Sequence, residues 1–261
     1  MDFDPLTADY PSRNITLEDD EAAYNLNMKE IYVQEPTIAM GDGSQGDCNR
    51  LVVLCGTSAS CLEETVVDGE AIGTITMPVL SYGSIRSDTV PSSRKGVSKV
   101  YRGMYSDIVI CMETCPSQEQ AVAWTECVMG VFKPSSVVVV GSTPGYQFKG
   151  EIDGSNGELL CSVRSSACVN SADAPELPLG NVLGGIEAAL MLHCELQNIP
   201  AQGIIVIEIA QCPKYDLLCE LGGALMSVLG QKSTLGREAK AVIKKSAARK
   251  YASSADLSVY T

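Results

Sequence analysis

Asp107-Ile-Val-Ile-Cys111, then Ser117-Gln-Glu-Gln-Ala-Val-Ala-Trp-Thr-Glu-Cys-Val-Met-Gly-Val-Phe-Lys-Pro134, then Ser136-Val-Val-Val-Val140: these three pieces decide the fold class. The outer two are short, continuous apolar runs, the pattern of strands buried on both faces. In the middle piece Ala121, Trp124, Val128 and Val131 recur at helical spacing. Ser117 stands at the N-cap with Gln120 three residues on, which is capping-box spacing. Lys133-Pro134 ends the helix. The chain's one tryptophan therefore belongs to the core rather than to a ligand platform.

The same alternation continues on both sides. Upstream, Leu51-Val-Val-Leu-Cys55 is a buried strand ended by Gly56, and Ile72-Gly-Thr-Ile-Thr-Met77 alternates up to Pro78. Residues 83–99 mix Gly, Ser, Asp, Pro, Arg and Lys without a period and are expected to form a loop. Downstream, residues 141–157 are Gly-rich and polar, with a turn signal at Asn156-Gly157, and Leu159-Leu-Cys-Ser-Val163 suits a short edge strand. A long apolar helix is expected from Asn181 to Asn198, stopped by Asn198-Ile-Pro200. Gly203–Ile209 is the next buried strand, Asp216–Leu229 an amphipathic helix and Leu235–Lys250 a basic one. Strands alternating with helices predict an α/β fold whose layered sheet, largely parallel or mixed, is flanked by helices.

Three segments follow from composition. Residues 1–47 hold eleven acidic and two basic side chains, a local charge of -9, and are expected to be a mostly disordered extension. Residues 48–250 form a single α/β domain. Residues 251–261, small and polar up to Ser258, form a flexible tail. Residues 232–250 carry seven basic side chains and one acidic, a charge of +6, suited to a solvated helix face or an acidic protein surface. The net charge of -13 argues against general nucleic-acid binding. No apolar run reaches the ~18 residues of a membrane span. The acidic start, Met-Asp-Phe-Asp-Pro, has no secretory pattern. Eleven cysteines, odd in number and many in apolar runs (Cys55, Cys111, Cys194, Cys212), read as buried thiols in a reducing compartment. The expected location is cytoplasmic, with the nucleus or an association with the endoplasmic reticulum as further settings. Cys111-x3-Cys115 is the closest cysteine pair and has no histidine near it, so zinc is not expected.

Candidate chemistry is sparse. The single histidine, His193, lies in an apolar helix, where packing is its expected role. Gly56-Thr-Ser-Ala-Ser60 follows a strand but lacks the Lys-Ser/Thr of a P-loop, so it reads as a tight turn. Gly184-Gly185 and Gly222-Gly223 read as places of close helix packing. Glu208 closes a strand. No catalytic set, metal site or cofactor site is expected from these residues. The enzymatic alternative, a phosphorylase- or hydrolase-like α/β protein, would use the Gly56–Ser60 turn and Glu208. A generic protein-binding module is the other alternative. The chain's last residues, Val259-Tyr260-Thr261, read as hydrophobic, tyrosine, any residue and a carboxylate, a pattern that can seat in a groove and pair with a lysine.

The order of elements, Leu177-Pro178 before the long helix, Asn198-Ile-Pro-Ala201 before a strand, Tyr215-Asp216-Leu217 in the next helix and the terminal Val-Tyr-Thr together resemble the proteasome assembly chaperone family across residues 49–261. That resemblance implies a phosphorylase-like α/β fold without its active site. It also implies a non-enzymatic role as a heterodimer with a proteasome assembly chaperone 2-like subunit, seated on the α-ring of the core particle. Val259, Tyr260 and Thr261 would then enter a pocket between proteasome α-subunits and exclude premature capping.

Overall fold

The run Leu51–Cys55 lies at the centre of an eight-stranded mixed sheet, with every one of its residues almost wholly removed from solvent. The structure is a computed structural model. It describes residues 36–41, 48–78, 95–103, 107–112, 115–116, 118–150, 159–169, 172–208, 214–231 and 235–251. The strands are β1 (Thr37–Met40), β2 (Arg50–Cys55), β3 (Val67–Pro78), β4 (Lys95–Gly103), β5 (Ile108–Met112), β6 (Ser136–Pro144), β7 (Leu159–Arg164) and β8 (Ala201–Glu208). The helices are α1 (Gly56–Ser60), α2 (Glu63–Val66), α3 (Gln118–Phe132), α4 (Gly185–Leu196), α5 (Tyr215–Val228) and α6 (Arg237–Lys250).

The sheet order is β1-β3-β4-β5-β2-β6-β8-β7. β5, β2, β6 and β8 run parallel, and antiparallel partners complete both sides. Strands covered on both faces need no polar alternation, which is why the four central ones are continuous apolar runs. Val52, Leu54, Val138, Val140, Ile204 and Val206 face α5 and α6 on one side. Leu51, Val53, Ile110, Val137 and Val139 face α3 and α4 on the other. The predicted fold class is thus the observed one: a mixed sheet between helical layers.

Several boundaries differ from expectation. β4 begins at Lys95, inside the stretch read as a loop. Its Ser98 points inward at 4% exposure while Val97 is 40% exposed, so the apolar alternation that marks a strand is inverted there. β6 runs on to Pro144, into the segment expected to be irregular. α4 starts at Gly185 rather than near Asn181. Gly185 has φ +62°, a turn conformation, and the Asn181 side chain is engaged with the Lys149 and Pro178 carbonyls. Gly56–Ser60 is a five-residue helix entered through Gly56 at φ +83°, not a plain turn. The reading of Gly222 holds: a Cβ there would press on Leu235 and Ile243, so its absence brings α6 against α5. Trp124 is fully buried, and Cys55, Cys111 and Cys194 are buried thiols with no disulfide among the described residues. Ser117 and Cys212 lie outside the described residues.

Four residues of the expected extension belong to the sheet. β1 pairs with β3 from Thr37–Thr76 to Met40–Gly73, and Ile38 and Met40 pack against the core facing α3 and α4. A half-covered edge strand of this length is too short to stand out by period. Removing residues 1–47 therefore strips an edge. Losing two half-buried side chains at about 1–1.5 kcal/mol each should lower the melting temperature by roughly 4–10 °C relative to a chain starting at Pro36. Equal melting temperatures for the two variants would show that β1 adds nothing.

Candidate functional site

The order of the strands reverses around β2: β5 lies on one side of it, and the chain then crosses by α3 to β6 on the other. In open α/β sheets the crevice outside the carboxyl ends of the strands at such a point is where ligands bind. Here those ends bring together residues far apart in sequence, in two clusters, one toward each helical layer.

Toward α3 and α4 lie Cys55, Gly56, Cys115, Ser142 and Glu187. Gly141 lacks the Cβ that would collide with the Glu187 carboxyl group, so the side chain lies across the strand end. Glu187 accepts hydrogen bonds from its own N–H in the first turn of α4 and from the Ser142 N–H. The neighbouring Cys115 side chain and burial together push the Cys55 thiol well above the ordinary cysteine range. Cys55 Sγ lies 3.6 Å from Met112 Sδ. Gly56–Ser60 follows a strand, as a phosphate loop does, but it opens a helix of only five residues.

Burial pushes the Glu187 carboxyl above the ordinary glutamate range, and the two N–H donors only partly offset this. A carboxyl whose pKa rises on folding weakens the fold once it is ionised. That penalty is absent below the unfolded value of ~4.3 and complete above the raised folded value. Glu187→Gln keeps an acceptor oxygen and cannot ionise. It should raise thermal stability at neutral pH, with the gain disappearing as pH falls below about 4. Melts across this range check it; a gain that persisted in acid would assign the effect to packing.

Toward α5 and α6, Ser58 Oγ donates to Glu208 Oε1 at 2.6 Å and lies 3.5 Å from the Tyr251 hydroxyl. The Tyr101 hydroxyl donates to Glu63 at 2.5 Å, and Lys250 Nζ lies 3.7 Å from the same carboxylate. Arg249 pairs with Glu64. The end of α6 is thereby strapped to α1 and α2. Tyr251, read from sequence as the first residue of a loose tail, is instead 8% exposed and part of the core.

The two residues of the enzymatic alternative, Ser58 and Glu208, therefore do meet. Chemically they make a buried serine held by a carboxylate. His193 lies in the last turn of α4, in the helical layer across the sheet from α1. No group of three or more His, Cys, Asp or Glu residues that could hold a metal occurs among the described residues. Val259, Tyr260 and Thr261 lie outside the described residues, and so does the tail that carries them. With Tyr251 fixed, Ala252–Thr261 could reach at most roughly 35 Å from the body when extended.

One helical layer keeps apolar surface in solvent. Leu192 and Leu196, one turn apart on α4, are 59% and 73% exposed, and Val122 on α3 is 56% exposed. Leu192 and Leu196 belong to the long apolar helix expected from the sequence, and they lie on its outer face.

No family model matches the chain. It is similar to proteasome assembly chaperone 1 of Nematostella vectensis, at 21% identity over 101 residues. That match takes in 37% of this chain and 39% of the relative, so the two correspond over about two fifths of that protein's length. Among solved structures, Pyrococcus furiosus PbaB, an archaeal proteasome activator, superposes with a TM-score of 0.57 at 12% identity, covering 84% of this chain and 97% of that one. Pyrococcus furiosus PbaA, an archaeal homolog of proteasome-assembly chaperone, gives 0.55 at 9% identity, covering 81% and 87%. The chain shares the fold of these proteins, and the resemblance read from its sequence recurs in both kinds of comparison.

Proposed function

We propose that the chain is a proteasome assembly chaperone. In this reading it pairs with a proteasome assembly chaperone 2-like subunit, and the heterodimer docks on the α-ring of the core particle. Its tail, Val259-Tyr260-Thr261, enters a pocket between α-subunits, promoting correct ring assembly and keeping activators from capping it early. The observation that carries this is the coincidence of two likenesses: 21% identity over 101 residues with proteasome assembly chaperone 1 of Nematostella vectensis, and a fold shared with PbaB over 84% of the chain. The role needs no catalysis. The unpaired apolar side chains Leu192, Leu196 and Val122 suit a protein that functions with a partner subunit.

The tail alone would bind weakly, because ordering a short segment consumes much of what a few contacts supply. Attachment to a folded body that also touches the ring raises its effective concentration to about millimolar, which makes a short key useful.

Purification from cells through an N-terminal tag should bring down a second α/β subunit of similar fold together with proteasome α-subunits. A preparation containing neither, from cells in which the tagged chain is abundant, would overturn the reading. The Ser58–Glu208 hydrogen bond is the one observation favouring the enzymatic alternative. Turnover of nucleosides with phosphate, esters or peptides that is abolished by both Ser58→Ala and Glu208→Gln would establish that alternative.

A further inference from the structure

We infer that the outer face of α6 is a docking surface for carboxylates of the protein that takes the tail, the acidic surface beside the pocket on the α-ring. This deepens the chaperone reading and rests on it. In α6, Arg237, Lys240, Ala241, Lys244 and Lys245 follow the i, i+3, i+4, i+7, i+8 spacing of one helix face, and all are exposed. At 1.5 Å per residue the row is about 12 Å long. The opposite face is buried: Ile243, Ser246 and Ala247 pack inward, and Gly222 lets Ile243 come close to α5. The Tyr215 hydroxyl donates to the Lys240 carbonyl at 3.0 Å, and Arg249 and Lys250 tie the far end to Glu64 and Glu63. The cations are thus carried on a helix whose position the body sets.

The fold itself makes little use of this row. Acidic side chains outnumber basic ones 32 to 19 in the chain, so a surface cation has carboxylates in good supply. Arg249 and Lys250 find theirs. Arg237, Lys240 and Lys245 form no ion pair among the described residues. Helix electrostatics does not account for them either. Arg237 and Lys240 stand at the start of α6, the positive end of the helix dipole, where acids are favoured. Solubility is no better reason, because a chain of net charge -13 is already well solvated and acids serve that purpose better than lysines.

The tail indicates which surface lies opposite. Ala252–Thr261 spans at most roughly 35 Å when extended, counted from Tyr251 at the end of α6, and α6 is itself about 21 Å long. A partner that holds Tyr260 in a pocket therefore approaches the body beside α6. At physiological ionic strength the cations act over about 8 Å, so they draw in carboxylates as the two surfaces close and fix how the body is oriented. Nucleic acid is the other polyanion that such a row would meet, and the net charge of -13 opposes its approach.

The test follows association of the full-length chain, as heterodimer, with isolated core particles between about 20 and 300 mM salt. The unmodified protein should associate about tenfold more slowly at the high end, with dissociation little changed. Arg237→Gln, Lys240→Gln and Lys245→Gln together should slow association about tenfold at low salt and flatten its salt dependence. Glutamine keeps the helix propensity, so circular dichroism should not change. The chain ending at Ser258 should bind weakly yet keep the salt dependence, which separates this surface from the terminal carboxylate. The salt series on the unmodified protein is read whether or not the triple variant folds. An association rate indifferent to salt, or a triple variant that matches the unmodified protein, would overturn the inference and leave the chaperone reading in place. No binding by the unmodified heterodimer would overturn that reading and this inference with it. Retention of duplex DNA or of anionic phospholipid vesicles by the unmodified chain, lost in the triple variant, would overturn the inference by giving the face another partner.

Discussion

Deletion of Val259–Thr261 should lower affinity for the proteasome α-ring by about ten- to a hundredfold while leaving the body folded. A phenol withdrawn from a pocket and a carboxylate deprived of its lysine are each worth ~1–3 kcal/mol. The loss should be partial, because contacts made by the body would survive. Tyr260→Ala should reproduce much of it, and Tyr260→Phe less, since the ring remains. Adding residues after Thr261, or amidating it, should act like the deletion by moving or removing the carboxylate. The folded part should not respond, because Tyr251, the last of the described core residues, precedes the whole segment. Titrating each variant, as heterodimer, onto isolated α-rings or core particles, with circular dichroism alongside, provides the measurement. Equal dissociation constants for the intact and shortened chains would end the tail hypothesis and leave the remainder of the functional reading to stand on body contacts alone.

The second large effect concerns stability. Trp124→Ala should cost about 3–5 kcal/mol, the range for truncating a buried aromatic, out of the 5–15 kcal/mol that a domain usually has. Trp124 has no exposed surface and packs in the cluster that contains Leu51, Val53, Val128 and Leu190, so the cavity would open between the sheet and both α3 and α4. Trp124→Phe should be much milder. The indole N–H has no hydrogen-bond partner among the described residues, and replacing it with a hydrocarbon removes a buried donor that gains nothing from the fold. Urea melts of the two variants should therefore differ by more than the change in volume suggests. Similar midpoints would mean that the indole N–H is satisfied in solution.

The parts of this fold that could be read from sequence are those whose signal is local. Leu51–Cys55, Ile108–Cys111 and Val137–Val140 announce themselves because burial on both faces demands unbroken apolar runs. α3 and α5 show because one face of each must be apolar. β4 was hidden because a serine takes an inward position that the pattern reserves for an apolar residue, and β1 because it is four residues long. The site residues divide in the same way. Gly56–Ser60 and Glu208 stood out singly, as a glycine turn after a strand and an acid at a strand end. Their union across 150 positions is made by the ordering of β2, β6 and β8, which no local pattern encodes. The sulfurs show the point most clearly. Spacing drew attention to Cys111 and Cys115, while the parallel register sets Cys55 opposite Met112, with 3.6 Å between Cys55 Sγ and Met112 Sδ.

The central position of β2 also bears on how the chain is made. Leu51 must find Ile108 on one side and Val137 on the other, about 57 and 86 residues further on. At synthesis rates of roughly 5–20 residues per second, the second partner leaves the ribosome about 4–17 seconds after the first apolar strand. During that interval Leu51–Cys55 is a sticky ribbon with at most one of its two neighbours to join. Nascent chains halted between residues 60 and 140 should accordingly be held by general chaperones, and those extended beyond β6 should be released from them.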